Sequence, residues 1–237
     1  MGMAGWNNPP QERASRQPDQ SHLAQYAVYF SCVEINSSFY RPHRRATYAR
    51  WRDETPAPFR FSVKCPRAIT HENSLRRTAS NVSRFYDEIS CLQPKLAAVL
   101  VQLPPGLEFS AARVRSFFQS VPTLRGTVVA CEPRHASWFS AAADEVLRRQ
   151  EVSRVAADPA RCSGAEIPGG VRRFAYFRWH GSPKMYYSKY SEEQLAAFAL
   201  QVEQSQAKDS WCIFDNTARY AAWDNAHQFL SRIRAGT

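Results

Sequence analysis

The stretch VVACEPRHASWF, residues 128–139, decides the fold. It opens with branched and small apolar residues, typical of a buried strand, and ends with Glu132, Arg134 and His135. A buried strand has no reason of its own to finish on an acid, a base and an imidazole. Other apolar runs of the chain finish in the same way, so the pattern belongs to the whole fold.

Eight short apolar runs recur along the chain, and helix-like stretches follow most of them. The runs cover residues 2–6, 27–36, 59–64, 97–105, 127–133, 153–159, 173–181 and 211–217. Amphipathic stretches are predicted at 110–121, at 191–206 behind a capping box of Ser191 and Gln194, and at 217–235 behind a cap at Asn216 and Thr217. Alternating strands and helices imply parallel strands. The sequence therefore predicts an α/β fold, a single-domain (β/α)8 TIM-like barrel over residues 1–237 with some helices irregular or missing. An open doubly wound sheet is the alternative, but no GxGxxG motif supports a dinucleotide site.

Side-chain alternation predicts where the polar strand ends point. In FRWH, Phe177 and Trp179 take the opposite face from Arg178 and His180, and the outer, helix-packed face suits the bulky apolar residues. The polar residues then point into the barrel mouth, where the carboxyl ends of the strands surround the active site in TIM barrels. Glu34, Lys64, Glu132, Arg178, His180 and Asp215 are accordingly predicted to share one pocket.

Six motifs carry a family resemblance. VEINSSFYRP, FRFSVKCPRAITH, LVQLPP, CEPRHASW, YFRWHGSP and IFDNT occur in this order across nearly the whole chain. Together they resemble the YecE-like family, known as domain of unknown function 72. The resemblance implies a TIM-barrel fold and no particular reaction.

Three functions are compatible with the residues at the mouth. The first is an enzyme acting on a phosphate- or carboxylate-bearing small molecule, with Glu34, Glu132 and His180 as catalytic candidates and His71 as an alternative acid–base. The ligand-binding candidates are Asn36, Lys64, His71, Gln102, Arg134, His135, Arg178, Asp215 and Asn216. The second is a divalent-metal hydrolase or isomerase with Glu34, Glu132, Asp158, His180 and Asp215 as ligands, although three cations in the pocket oppose it. We expect no metal and no cofactor.

The third function is weak, non-specific nucleic-acid binding. Residues 41–84 hold eleven Lys or Arg against three Asp or Glu, which is +8 of the net charge of +10. An Arg-rich solvated helix face explains the same charges without a ligand.

The six cysteines have no CxxC spacing, and Cys131 and Cys212 are expected in the core. No apolar run reaches the ~18 residues of a membrane span, and residues 1–18 lack a signal-peptide core, so a cytoplasmic location without membrane contact is expected.

Overall fold

The predicted strand runs form one ten-stranded sheet in the computed structural model, which describes residues 1–15 and 17–235. The strands are β1 (Gly2–Ala4), β2 (Cys32–Ile35), β3 (Arg60–Lys64), β4 (Leu96–Gln102), β5 (Val128–Glu132), β6 (Val152–Arg154), β7 (Ala156–Asp158), β8 (Gly169–Gly170), β9 (Phe174–Trp179) and β10 (Asp209–Phe214). All eight predicted runs overlap a strand, and the sixth run overlaps two, β6 and β7.

Helices follow most strands. They are α1 (Pro10–Ala14), α2 (His22–Tyr29), α3 (Arg45–Asp53), α4 (Ala79–Ile89), α5 (Ala111–Gln119), α6 (Ala141–Arg149), α7 (Glu192–Gln204) and α8 (Ala221–Ala235). Ser110, Ser140 and Ser191 begin three of them, because each hydroxyl accepts the backbone N–H three residues later. The predicted capping box of α7 is confirmed, since Ser191 and Gln194 bond each other's backbone N–H.

The sheet is barrel-like and nearly closed. Its order is β7-β9-β10-β1-β2-β3-β4-β5-β6-β8, and every pair is parallel except β6 with β8. A single residue, Val155, separates β6 from β7, and its N–H donates to the carbonyl of Cys131 at 2.8 Å. The two ends of the sheet therefore lie beside each other. Gln102 pairs in register with Glu132, so β4 and β5 finish at the same level.

Two apolar clusters lie on opposite faces of the sheet. The larger packs between the strands and the helices; in it Trp179 stacks on Phe198 of α7 at 4.5 Å between ring centroids. The smaller fills the interior with the buried residues Ala4, Cys32, Ala98, Leu100, Ala130, Val155, Phe174, Tyr176 and Ile213. Residues two positions apart on a strand share one face. The polar strand ends follow several of these interior residues by two positions, so they lie above the interior cluster. The predicted outward position of Trp179 is confirmed.

Two of the predicted element boundaries are wrong. Residues 27–29 belong to α2, because Ser21 caps this helix and Leu23 and Tyr26, three residues apart, both face the core. The last helix begins at Ala221 and not at residue 217. The amide of Asn216 is used instead to donate to the carbonyl of Ser188.

The predicted core positions of Cys131 and Cys212 are confirmed by their burial. Among the helices within residues 1–15 and 17–235, none combines the length and the hydropathy of a bilayer-crossing segment.

Candidate functional site

Arg178 is the centre of the polar cluster above the barrel interior. Its side chain is 0% exposed and contacts three carboxylates. Glu34 accepts from Nε at 3.0 Å and from Nη2 at 2.7 Å, Glu132 accepts from Nη1 at 2.6 Å, and Asp215 accepts from Nη2 at 2.9 Å. A buried guanidinium is tolerated only when its donors are paired in this way. Four strand ends are thereby tied to one side chain.

His180 lies between two of the same carboxylates. Its Nδ1 is 2.9 Å from Oδ2 of Asp215, and its Nε2 is 3.2 Å from Oε1 of Glu132. Only a doubly protonated imidazole can donate to both oxygens at once. The ring is 1% exposed, and the ring of Tyr186 stands over it with centroids 5.8 Å apart. His180 is therefore almost fully shielded from solvent.

Glu132 has four polar partners. In addition to Arg178 and His180, it accepts from Nε2 of Gln102 at 3.0 Å and from Nη2 of Arg134 at 3.1 Å. Burial favours the neutral acid, but Arg178 and Arg134 outweigh it and hold the pKa of Glu132 well below its usual range. Glu132 is thus a fixed anion that orients its neighbours.

Tyr176 is a member of this network that the sequence analysis missed. Its hydroxyl donates to Oε2 of Glu34 at 2.7 Å and lies 3.0 Å from Oγ of Ser62. Both oxygens of Glu34 are consequently engaged, and the residue is fully buried. A signal was available, since Tyr176 stands two positions before Arg178 and therefore on the same strand face.

Lys64, at the end of β3, is the exception in the cluster. Its Nζ lies 4.3 Å from the centroid of the Phe39 ring. Within the described residues this ammonium has no hydrogen bond and no carboxylate within ion-pair distance. The residue is 8% exposed. Burial, assisted by the nearby Arg178, lowers the pKa of Lys64 to about 8, although the three carboxylates oppose the shift.

His71 lies beside Lys64, on the helical turn Ala68–Glu72. Its ring packs edge-on against Phe39 at 4.9 Å, and its Nδ1 is 2.8 Å from the hydroxyl of Thr70. Burial, and then the positive charges of Lys64 and Arg134, lower the pKa of His71. The imidazole of His71 is therefore neutral at pH 7, and it is half-buried, whereas His180 is fully buried.

Three predicted residues lie apart from the Arg178 cluster. His135 caps the turn Ala136–Trp138 through Ser137. Asn216 bonds Ser188 and Asn225, so it fixes the loop before α7. Asp158, a ligand in the metal alternative, accepts from the hydroxyl of Tyr190 at 2.7 Å. Asn36 lies at the edge of the cluster, where its amide reaches Asp215 only at 3.5 Å.

Arg178, which the sequence predicts to contact a ligand, is completely buried and pairs with three carboxylates, and its contact with a ligand stays a prediction. Arg134, whose side chain is 13% exposed, is the accessible arginine. Within residues 1–15 and 17–235, no group of three or more His, Cys, Asp and Glu side chains has the arrangement of a metal site. The absence of a bound metal stays a prediction, which elemental analysis tests.

The basic segment 41–84 is partly neutralised. Five of its eleven cations form ion pairs. The carboxylates in these pairs lie on or next to α3, on α4, or on the helical turn Ala68–Glu72. The pairs are Arg45 with Asp87, Arg50 with Glu54, Arg52 with Asp53, Arg67 with Glu72, and Arg84 with Glu88. This arrangement favours the solvated-face interpretation of the segment.

The full chain, residues 1–237, matches the family described as "Protein of unknown function DUF72". The UPF0759 protein YecE of Escherichia coli (strain K12) is 29% identical over 67% of this chain and 58% of that protein. Against YecE of E. coli O157:H7 the match spans 52% of the relative, so the chain covers little more than half of either YecE protein. The UPF0759 protein YunF of Bacillus subtilis (strain 168) is 24% identical over 98% of this chain and 94% of that protein. The chain belongs to the DUF72 family, as its motifs implied.

Solved structures show the same fold. A DUF72 family protein from Enterococcus faecalis V583 superposes with a TM-score of 0.82 at 19% identity, over 98% of this chain and 94% of that one. A DUF72 family protein from Thermotoga maritima MSB8 gives a TM-score of 0.78 at 24% identity, over 98% of both chains. At these identities the likeness concerns the fold alone.

Proposed function

We propose that this member of the DUF72 family is an enzyme that binds a phosphate- or carboxylate-bearing small molecule at the carboxyl ends of its strands. The observation that carries the proposal is Lys64, an ammonium at the barrel mouth without a counter-ion among the described residues. A nearly buried cation without a partner is costly to fold around, so a ligand that pairs with it is the natural explanation.

The charges of the cluster support an anionic ligand. Glu34, Glu132 and Asp215 all pair with Arg178, and Glu132 pairs with Arg134 as well. Among the described residues, none of these carboxylates lies within ion-pair distance of Lys64. An anionic group between Lys64 and the accessible side of Arg134 would give this ammonium the partner that the carboxylates do not supply.

The remaining residues divide into two roles. His71 is the proposed acid–base group, because it is half-buried, neutral at pH 7 and adjacent to Lys64. Glu34, Glu132, Asp215, Gln102, Arg178 and His180 are proposed as positioning residues. Their burial and mutual contacts support this role over the catalytic role that the sequence suggested for Glu34, Glu132 and His180.

We also propose that β6 and β7 together form one of the eight strands of a (β/α)8 barrel. The single residue between them and the continued pairing of Val155 with Cys131 support this description. Residues 159–173 connect this strand to β9 and contain no helix, as expected for a barrel with irregular or missing helices.

Thermal unfolding with and without phosphate tests the function. A ligand that binds only the folded state raises the melting temperature. We expect phosphate to raise that of the wild type and of Lys208→Met, a control that removes an exposed lysine at the opposite ends of the strands. Phosphate should have little effect on Lys64→Met. Equal phosphate-induced shifts in all three proteins would refute the anion site.

A further inference from the structure

We infer that Lys64 is the amine of an imine-forming site, and that the substrate class is an aldehyde or ketone carrying a phosphate or carboxylate. The inference rests on the proposed function and names its substrate class. Arg134 would then hold the anionic group, and Lys64 would react with the carbonyl carbon.

The position of Lys64 is fixed while its amine stays free. Its carbonyl accepts from the hydroxyl of Ser38 at 2.7 Å, and the same hydroxyl bonds the carbonyl of Ile35, which joins β2 to β3. The side chain crosses the face of Phe39 and ends without a polar partner among the described residues. A nucleophile needs this combination of a rigid base and an unengaged tip.

Lys95 shows what a structural lysine looks like in the same protein. It is about as buried as Lys64, at 9% exposure against 8%. Its ammonium, however, donates to the carbonyls of Arg52 and Thr55 and to the hydroxyl of Thr55. These acceptors hold the protons of Lys95, whereas nothing equivalent holds those of Lys64.

The environment of Lys64 also favours the neutral amine, which is the reactive form. Desolvation and a neighbouring cation are the two means by which enzymes activate a lysine, and both act here through burial and Arg178. With a pKa of about 8, Lys64 holds on the order of a hundredfold more neutral amine at pH 7 than an ordinary lysine.

The reaction balances with the groups present. The Nζ lone pair forms a C–N bond, the carbonyl π bond breaks, and one proton leaves Nζ while the oxygen takes one, which gives a carbinolamine. Loss of the second Nζ proton and departure of the hydroxyl as water then form the imine. His71 is placed to carry these protons, because its Nδ1 is held by Thr70 and its Nε2 has no hydrogen-bond partner among the described residues.

Reductive trapping tests the inference. The wild type is incubated with pyruvate, an anionic ketone, and sodium borohydride. The masses of its tryptic peptides are then measured by mass spectrometry. Reduction converts an imine into a stable secondary amine and blocks cleavage after Lys64, so the adduct appears in the peptide Phe61–Arg67. We expect labelling of Lys64 at least about tenfold above that of Lys95 and Lys208, since burial lowers the pKa of Lys64 to about 8 and its amine has no hydrogen-bond acceptor among the described residues.

The variant Lys64→Arg separates the two proposals, because it keeps the positive charge and removes the nucleophile. It should lose the adduct while phosphate still raises its melting temperature. Equal labelling of Lys64, Lys95 and Lys208 in the wild type would overturn the imine site. Absence of any Lys64 adduct while phosphate binds would also overturn it and leave the anion site standing. Loss of the phosphate effect in the wild type would instead overturn the proposed function.

Discussion

Arg178 and Glu34 form a two-pronged ion pair in which neither side chain is exposed to solvent. The pair joins β9 to β2 across the interior of the sheet. Because its geometry is bidentate and its remaining donors reach Glu132 and Asp215, the pair sets the positions of the groups around it. We regard it as the frame of the site, and Lys64, His71 and Arg134 as the groups that meet a ligand.

Removing one member of this frame should destabilise the protein strongly. Glu34→Gln or Arg178→Met leaves a buried charge without its partner, which costs about 3–5 kcal/mol. The measurement is the free energy of unfolding in urea. Arg45→Met is the matched control, because it breaks an exposed ion pair with Asp87 and should have little effect. Similar losses in Arg178→Met and Arg45→Met would show that the buried network does not hold the fold.

Tyr176→Phe should cost about 1 kcal/mol, since it removes one buried hydroxyl from the network and leaves Glu34 with fewer donors. Tyr29→Phe is a comparison variant, because the hydroxyl of Tyr29 bonds Glu12 near the surface. If Tyr176→Phe is no less stable than Tyr29→Phe in urea unfolding, the hydroxyl does not support Glu34.

Lys64→Met should stabilise the protein at pH 7. The pKa of Lys64 falls from 10.5 to about 8 on folding, so below pH 8 the folded state bears a full penalty of about 3 kcal/mol. Between pH 8 and 10.5 the unfolded state binds more protons than the folded state, and the stability of the wild type rises toward that of the variant. Unfolding free energies of both proteins at pH 7 and pH 10 check this sign. A gap that is absent at pH 7, or that widens with pH, would contradict it.

Nucleic-acid binding, if measured with duplex DNA, should be weak and should disappear by about 200 mM salt, because five of the eleven cations in the basic segment already pair with carboxylates. Replacing Arg76 and Arg77, both exposed, by Ser should reduce the salt dependence. Replacing Arg148 and Arg149, which both pair with Glu145, should not. Sequence-selective binding that survives this salt concentration would require a recognition surface other than the basic segment.

Side-chain parity made most of the site predictable. Glu34, Glu132, Arg178, His180 and Asp215 stand at strand ends on the interior face, so alternation alone brought them together. Alternation could not distinguish Arg178 from Lys64, because the number of carboxylates that reach each cation depends on the angles between strands. Tyr186 reaches His180 from a loop between β9 and α7. The path of that loop is not visible in the local sequence, so the burial of His180 could not be predicted.

The errors in the fold have local causes. Residues 27–31 carry the apolar character of a strand, but Leu23 and Tyr26 follow the helical repeat and fix α2 before β2 begins. Asn216 and Thr217 have the composition of a helix cap, yet the amide of Asn216 is used by Ser188 and Asn225. Tertiary partners therefore decided where these elements begin.

The affinity of sulfate for the wild type and for Lys64→Met, measured by isothermal titration calorimetry at pH 7, tests the central claim most directly. Sulfate keeps its double charge at all the pH values used, so only the protein titrates. We expect binding to the wild type and to Lys208→Met, at least about tenfold weaker binding to Lys64→Met, and weaker binding to the wild type at pH 9.5, where Lys64 has lost its proton. Equal dissociation constants for the wild type and Lys64→Met at pH 7 would contradict the account.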